Sequence, residues 1–265
     1  MKNTHLVLIG IAIAAVLGLL LLYISTADRP KDGGSEHANS ENSDGEFPDI
    51  EVGESVEQGG YTIERLPDAE TEHIAAPSLN RKLVRPNNME VAVFAQIESN
   101  IAETIAVLKI EDNFNAWMNL ASLYTIAEDY KGSEEVLVYL SKKYTPSWQV
   151  FANLGSLYGT FLGDLNSAVT NYQKAIELLP QNASLYRSLH EVYVALGNQD
   201  KAVSILKEGI IAEPRAIDLY VVLARYLKSI GKLTEATAQY DAAINQANNL
   251  GNAELAAQIE AERNQ

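Results

Sequence analysis

The sequence contains no cysteine among its 265 residues. This absence excludes disulfide bridges, thiolate metal sites, lipoprotein anchoring and cysteine nucleophiles, so the fold has to rest on packing alone. Basic residues are also scarce, with 20 Lys and Arg against 35 Asp and Glu. A chain with a net charge of -15 and no basic stripe has little to offer a phosphate backbone, which excludes nucleic-acid binding.

Motifs of catalysis are missing as well. The sequence has no Gly-rich phosphate loop, no H-E-x-x-H, no G-x-S-x-G and no Cys/His metal spacing. His190 is the histidine that falls in the segment assigned to repeats below, and no acid and nucleophile accompany it. We therefore expect a packed histidine there, and a protein that is not an enzyme and uses no cofactor or metal.

The acidity of the chain is concentrated in residues 28–78. This segment has 14 Asp and Glu against 3 Lys and Arg, a net charge of -11 out of the total of -15. It is rich in Gly, Ser, Asn and Glu and poor in large apolar residues, so it cannot bury enough surface to offset its ordering entropy. The sequence predicts a disordered acidic linker, which as a flexible coil would span about 40 Å.

The first 27 residues have the character of a membrane anchor. Residues 6–24 carry no charge, and as a helix they would be about 30 Å long, which matches the hydrocarbon core of a bilayer. A signal peptide cleaved after Ala27 is the alternative, because residues 25–27 are small. The apolar stretch is longer than signal peptides usually have, so we favour a retained single-pass helix, with the following chain outside the cytoplasm.

A short string recurs through the second half of the chain. LASLY, LGSLY, LHEVY and LARYL follow one another at steps of 34, 35 and 34 residues, and they begin at Leu120, Leu154, Leu189 and Leu223. Alanines at the same spacing follow the last three copies, at Ala168, Ala202 and Ala236. A bulky residue, a small residue and an aromatic at these positions let a second helix approach the first closely.

Glycine and capping residues separate the two helices of each copy. Gly163, Gly197 and Gly231 would end the first helix, and the second would begin at Asp164 to Asn166, Asn198 to Asp200, or Thr234 with Glu235. Each copy is then a helix-turn-helix unit that buries its apolar face only by stacking on its neighbours. The second copy carries one extra residue between Gly159 and Asp164.

The pattern resembles the tetratricopeptide repeat (TPR) family, whose repeats have Leu, a small residue and Tyr in the first helix and Ala, an aromatic and Ala in the second. The resemblance implies an all-α fold, an α-α superhelix or TPR solenoid, behind the transmembrane helix and the acidic linker. We assign four repeats, preceded by an N-terminal helical cap at 79–113 and followed by a capping helix at 251–265. In the N-terminal cap we expect the helix to begin near Asn87 and Asn88, whose side chains can cap it. The repeats are 114–147, 148–182, 183–216 and 217–250.

In the family, the first helix of each repeat lines a concave groove that holds a peptide. The resemblance implies a groove made by Asn115, Met118, Ser122, Gln149, Ala152, Ser156, Ser184, Arg187, Glu191, Val194, Asp218, Val221, Arg225 and Lys228. Chaperone-binding members of the family bind a C-terminal carboxylate with a set of Lys and Asn side chains. This set is not reproduced here, because its positions hold Met118, Ser122, Ala152 and Ser156. The basic groove residues belong to the last two repeats, so we expect a preference for acidic peptides.

These features together predict a membrane-anchored scaffold. Its repeats would bind a protein or peptide partner in the groove and help to assemble an envelope complex. An alternative is a self-oligomerising structural protein of the membrane or cell surface, whose repeats stack on those of other copies.

Overall fold

The computed structural model describes residues 74–265. The predicted anchor, 1–27, and most of the predicted linker, 28–78, lie outside these residues. The part that is described is helical and contains no strand. Its helices are α1 (Val91–Ile110), α2 (Phe114–Ile126), α3 (Tyr130–Lys143), α4 (Trp148–Ser156), α5 (Leu165–Leu178), α6 (Ala183–Ala195), α7 (Gln199–Ala212), α8 (Ile217–Ser229), α9 (Leu233–Asn249) and α10 (Ala253–Arg263).

Each helix packs mainly on its neighbours in the chain, as the units of a solenoid do. The pairs α2 with α3, α4 with α5, α6 with α7 and α8 with α9 make the most extensive contacts. Small residues at the crossings are fully buried, among them Ala168, Ala202 and Ala243. Close helix approach therefore occurs where the recurring alanines are. The repeat boundaries given above remain predictions, and each of them encloses one of these pairs.

Three of the turns between paired helices depend on glycine in the left-handed region of backbone space. Gly163, Gly197 and Gly231 have φ of 71°, 70° and 79°. The first pair has Glu128 at the equivalent place, with φ of 60°. This conformation is unfavourable for a residue with a Cβ. The turn of the first pair is therefore the most strained of the four.

Side-chain caps begin two of the second helices as expected. Asp164 accepts a hydrogen bond from the backbone N–H of Ser167, and Asn198 accepts one from that of Lys201. The start expected at Thr234 is wrong, since α9 begins at Leu233 after Lys232 and has no side-chain cap.

The extra residue of the second copy is absorbed inside its first helix. After Ser156, residues Leu157–Leu162 continue α4 as a π-helix, up to the left-handed Gly163. A π-turn holds one more residue than an α-turn, so the helix reaches the usual turn without a loop. Tyr158 of this segment donates a hydrogen bond to Glu134 of α3 over 2.7 Å, and the ring of Phe161 stacks on that of Tyr130 with centroids 4.8 Å apart.

The N-terminal cap is helical only from Val91. The prediction that Asn87 or Asn88 caps this helix is wrong, because Glu90 precedes α1 and makes no side-chain cap bond. Residues 74–90 instead form an irregular segment, the N-terminal strap, which lies along α3. Arg81 fixes the strap there, pairing with Asp129 and donating to Glu135 over 2.8 Å.

Among the described residues, α1 is long and apolar enough to cross a membrane by length and composition alone. It packs one stripe into the protein core, with Phe94, Ile97, Ile101 and Leu108 buried. Core helices pass the same test, so α1 is weak evidence for a membrane span.

Candidate peptide-binding face

The predicted groove residues lie on α2, α4, α6 and α8, the first helices of the four pairs; we call them the groove face. Most of them keep side-chain surface in contact with solvent. The exposed members are Asn115, Gln149, Ser184, Arg187, Glu191, Val194, Asp218, Arg225 and Lys228, and the half-buried ones are Met118, Ser122, Ala152 and Ser156. Val221 is buried, at 9% exposure.

One ion pair joins the groove face of α6 to that of α8. Arg187 Nη1 donates to Asp218 Oδ2 over 3.1 Å, and each side chain retains nearly half of its exposure. The pair shows that the stripes of these two first helices point to the same side of the stack. It also neutralises one of the three basic residues from which an acidic ligand was predicted.

The second basic residue is paired with the C-terminal helix. Arg225 Nε and Nη2 donate to the two carboxylate oxygens of Glu262 in α10, over 2.7 and 2.6 Å. Tyr240 Oη donates to the same carboxylate over 2.8 Å. The hydrogen bonds from Arg225 lower the pKa of Glu262, and burial together with the bond to Glu262 raises the pKa of Tyr240 to about 12.

Val221 is buried because α10 packs beside it. Val221 and Ala224 of α8 form a small apolar cluster with Tyr240 and Ala243 of α9 and Ile259 of α10. The capping helix thus occupies the place where the first helix of a further repeat would stack. Val221 offers little surface to a ligand in this arrangement, and its assignment to the groove remains a prediction.

The half of the groove face that belongs to the first two pairs carries no charged side chain. Ser122 donates its hydroxyl hydrogen to the backbone carbonyl of Met118 over 3.0 Å, so this group is already satisfied within α2. Burial raises the pKa of the Tyr172 hydroxyl, and the neighbouring side chains of Ser188 and Ser156 partly offset this effect. These neighbours form a patch of hydroxyl groups between the second and third pairs.

His190 lies in the packed interior, with 5% exposure. Its Nδ1 is 2.9 Å from the carbonyl oxygen of Ala202, to which it donates, and its ring meets that of Tyr226 edge-on with centroids 4.8 Å apart. These contacts fit the packing role expected from the sequence. Across residues 74–265, no three His, Asp or Glu side chains are grouped so that they could hold a metal ion.

Sequence reasoning missed the participation of Glu262 and Tyr240. The sequence predicts a capping helix at 251–265 and gives no role to Glu262, whose carboxylate meets Arg225 and Tyr240 in the structure. The signal that could have found these residues is the 34-residue spacing of the repeats. Continued beyond the fourth repeat, this spacing predicts that α10 takes the place of another first helix, with side chains facing α8 and α9.

Comparison with known proteins supports the repeat pattern. A family model described as TPR repeat matches residues 162–203. The protein CTR9 homolog of Arabidopsis thaliana is 31% identical over 68 residues, which are 26% of this chain and 6% of that protein. BBSome complex member BBS4 of Mus musculus is 28% identical over 138 residues, which are 50% of this chain and 26% of that protein. The chain thus spans only a small part of these two relatives.

Among solved structures, the crystal structure of MamA is similar with a TM-score of 0.50 and 22% sequence identity. The similarity covers 62% of this chain and 98% of that one. At this identity the match shows the fold and nothing of the ligand.

Proposed function

Because this chain is a tetratricopeptide-repeat protein, we propose that it is a membrane-anchored scaffold that binds a protein or peptide partner on the groove face. The observation that carries the proposal is that most of the predicted groove residues stay exposed or half-buried on the first helices, with the Arg187–Asp218 pair joining α6 to α8. Extended or helical peptides bind such repeat surfaces through several shallow contacts. The fold supplies the rigid surface on which those contacts are arranged.

The proposed location of the protein at a membrane rests on its sequence. The uncharged stretch at 6–24 would hold the chain in a membrane, and the acidic segment at 28–78 would set the repeats off its surface. We propose that the repeats lie outside the cytoplasm and take part in assembling an envelope complex. The mouse relative is named as a member of a complex. We extend only the general role, taking part in a multiprotein assembly, to this chain.

The charge of the partner is a narrower proposal. Arg187 and Arg225 are engaged by Asp218 and Glu262, so an acidic ligand has to compete with carboxylates of the chain itself. Exposed pairs of this kind contribute only up to about 1 kcal/mol and are screened by salt, so the competition is not prohibitive. We retain a modest preference for acidic peptides, stronger at low ionic strength.

The acidic linker is a second source of competing carboxylates. It is covalently attached, so its effective concentration at the groove face reaches the millimolar range if its length matches the span. We propose that it occupies the face until a partner displaces it. A chain of residues 28–265 should then bind an acidic peptide more weakly than one of residues 74–265, and equal affinities would contradict self-occlusion.

Self-assembly is the competing proposal, in which the repeats of one copy stack on those of another. Light scattering on residues 74–265 over a concentration series separates the two. A monomer at all concentrations supports a groove that is open to a different partner. A defined oligomer whose formation survives Ser156→Arg, a substitution that obstructs the groove face, supports assembly through another surface.

A further inference from the structure

Three hydrogen-bond donors converge on one point at the C-terminal end of the groove face. Arg225 supplies Nε and Nη2, which meet both oxygens of the Glu262 carboxylate, and Tyr240 supplies its hydroxyl, which meets one of them. We call Arg225 and Tyr240 the carboxylate cradle. A guanidinium that binds both oxygens in parallel, supported by a third donor, is the arrangement that proteins use to recognise a carboxylate.

The carboxylate that fills the cradle is not locked in place. The side chain of Glu262 retains 31% of its exposure and that of Arg225 retains 60%. The attachment of α10 to the stack depends on other residues, because Ala256 and Ile259 are the ones it buries, at 4% and 3% exposure. Glu262 can therefore turn into solvent while α10 stays packed on α8 and α9.

The cradle also lies in line with the rest of the groove face. Asp218 and Arg225 are seven residues apart on α8, which is about two helical turns. Asp218 connects back to Arg187 of α6 and Arg225 connects forward to α10, so the two ion pairs continue one stripe. A peptide lying along the groove face would reach the cradle at its end.

We propose that the carboxylate cradle is the anchoring site for a carboxylate of the partner, and that Glu262 is a competitor supplied by the chain itself. The proposal rests on the function proposed above, for which it names one point of recognition. Arg187 does not offer an equivalent site, because one nitrogen meets Asp218 at 3.1 Å and, within residues 74–265, no hydroxyl group joins this pair. Lys228 adds positive charge near the cradle, since it contributes to lowering the pKa of Glu262.

The test measures binding of short fluorescein-labelled peptides to the full chain in detergent. One peptide alternates glutamate and serine, and its matched control has glutamine in place of each glutamate. Glu262→Ala should raise the affinity for the glutamate peptide about fivefold, which corresponds to about 1 kcal/mol for an exposed ion pair. Glu262→Gln, which keeps a polar side chain on α10, should raise it in the same direction.

Glu260→Gln is the control for a general loss of negative charge, because Glu260 lies on the same helix and pairs with Arg263 instead. It should leave the affinity unchanged, and Arg225→Gln should abolish the gain that Glu262→Ala produces. The proposal is overturned if neither Glu262 variant tightens binding while circular dichroism shows intact helices, or if the gain persists without Arg225. A failure of the proposed function looks different, since Ser156→Arg would then leave the binding of both peptides unchanged.

Discussion

Gly155 provides a sharp test of how the second pair of helices is packed. This residue is buried in α4, against the ring of Tyr172 in α5. A Cβ added at Gly155 would lie 2.9 Å from Cγ and Cδ2 of that ring and 3.0 Å from Cδ1. Side chains do not approach so closely, and Tyr172 is itself 8% exposed, so the ring has little room to retreat.

The expected effect follows from comparing two glycines of the same helical segment. At Gly159 a Cβ would meet Ala168 Cβ at 3.3 Å and Val192 Cγ2 at 3.5 Å, which small movements relieve. Gly→Ala increases helix propensity by about 1 kcal/mol at either position, so this contribution largely cancels in the difference. Overpacking at Gly155 costs about 1–3 kcal/mol, and that is the expected difference in unfolding free energy between Gly155→Ala and Gly159→Ala.

The assay is urea and thermal unfolding followed by the helical circular dichroism signal. For a chain of this size the difference corresponds to a melting temperature lower by about 2–4 °C for each kcal/mol. Gly155→Val should be more destabilising still, because its branched side chain meets the ring with additional atoms. Equal stabilities of the two alanine variants would refute the close approach of α4 and α5 and, with it, the repeat register.

Three further predictions concern a turn, the C-terminal helix and the anchor. Glu128→Gly should stabilise the chain by up to about 1 kcal/mol in urea unfolding, because φ of 60° suits glycine better than glutamate. The pKa of Glu262 is lowered from 4.5 in the folded chain, so its stabilising effect is present above pH 4.5 and is lost as the pH falls through the folded value; Glu262→Gln should remove this part of the acid sensitivity. The full chain should stay in the membrane fraction through an alkaline carbonate wash, whereas a released chain that begins at Asp28 would establish cleavage.

The helix pairs could be predicted from the sequence because the residues that specify them recur at a regular spacing. A leucine, a small residue and an aromatic recur at one spacing, and glycines with φ near 70° separate the helices where the sequence has Gly163, Gly197 and Gly231. Each of these signals acts within a few residues of the feature it specifies. Their repetition lets weak local preferences reinforce one another along the chain.

Contacts between residues that are far apart in the sequence could not be predicted in this way. Arg81 meets Asp129 and Glu135, which follow it by 48 and 54 residues, so the strap has no local signature. The Arg225–Glu262 pair spans 37 residues and depends on how α10 docks. The extra residue of the second copy was visible in the sequence, but its accommodation as a π-helix depends on contacts such as that of Tyr158 with Glu134.

The neutral half of the groove face shows a related limit. The sequence indicates that Ser122 and Ser156 lie on the predicted stripe, and it does not indicate what their hydroxyl groups already bond. In the structure the Ser122 hydroxyl bonds within α2, and Ser156 neighbours the buried Tyr172 hydroxyl, whose pKa it lowers. The polar groups that remain available to a ligand therefore depend on how the helices pack. The sequence positions of the stripe do not identify them.

Site-specific photo-crosslinking of the full chain in its native membrane tests the central proposal most directly. A photoreactive residue replaces either Gln149, exposed on the groove face, or Lys207, exposed on α7. The proposal predicts an adduct with a different protein from position 149, suppressed by Ser156→Arg, and none from position 207. An adduct whose mass is that of a second copy of this chain, or adducts of equal yield from both positions, would contradict it.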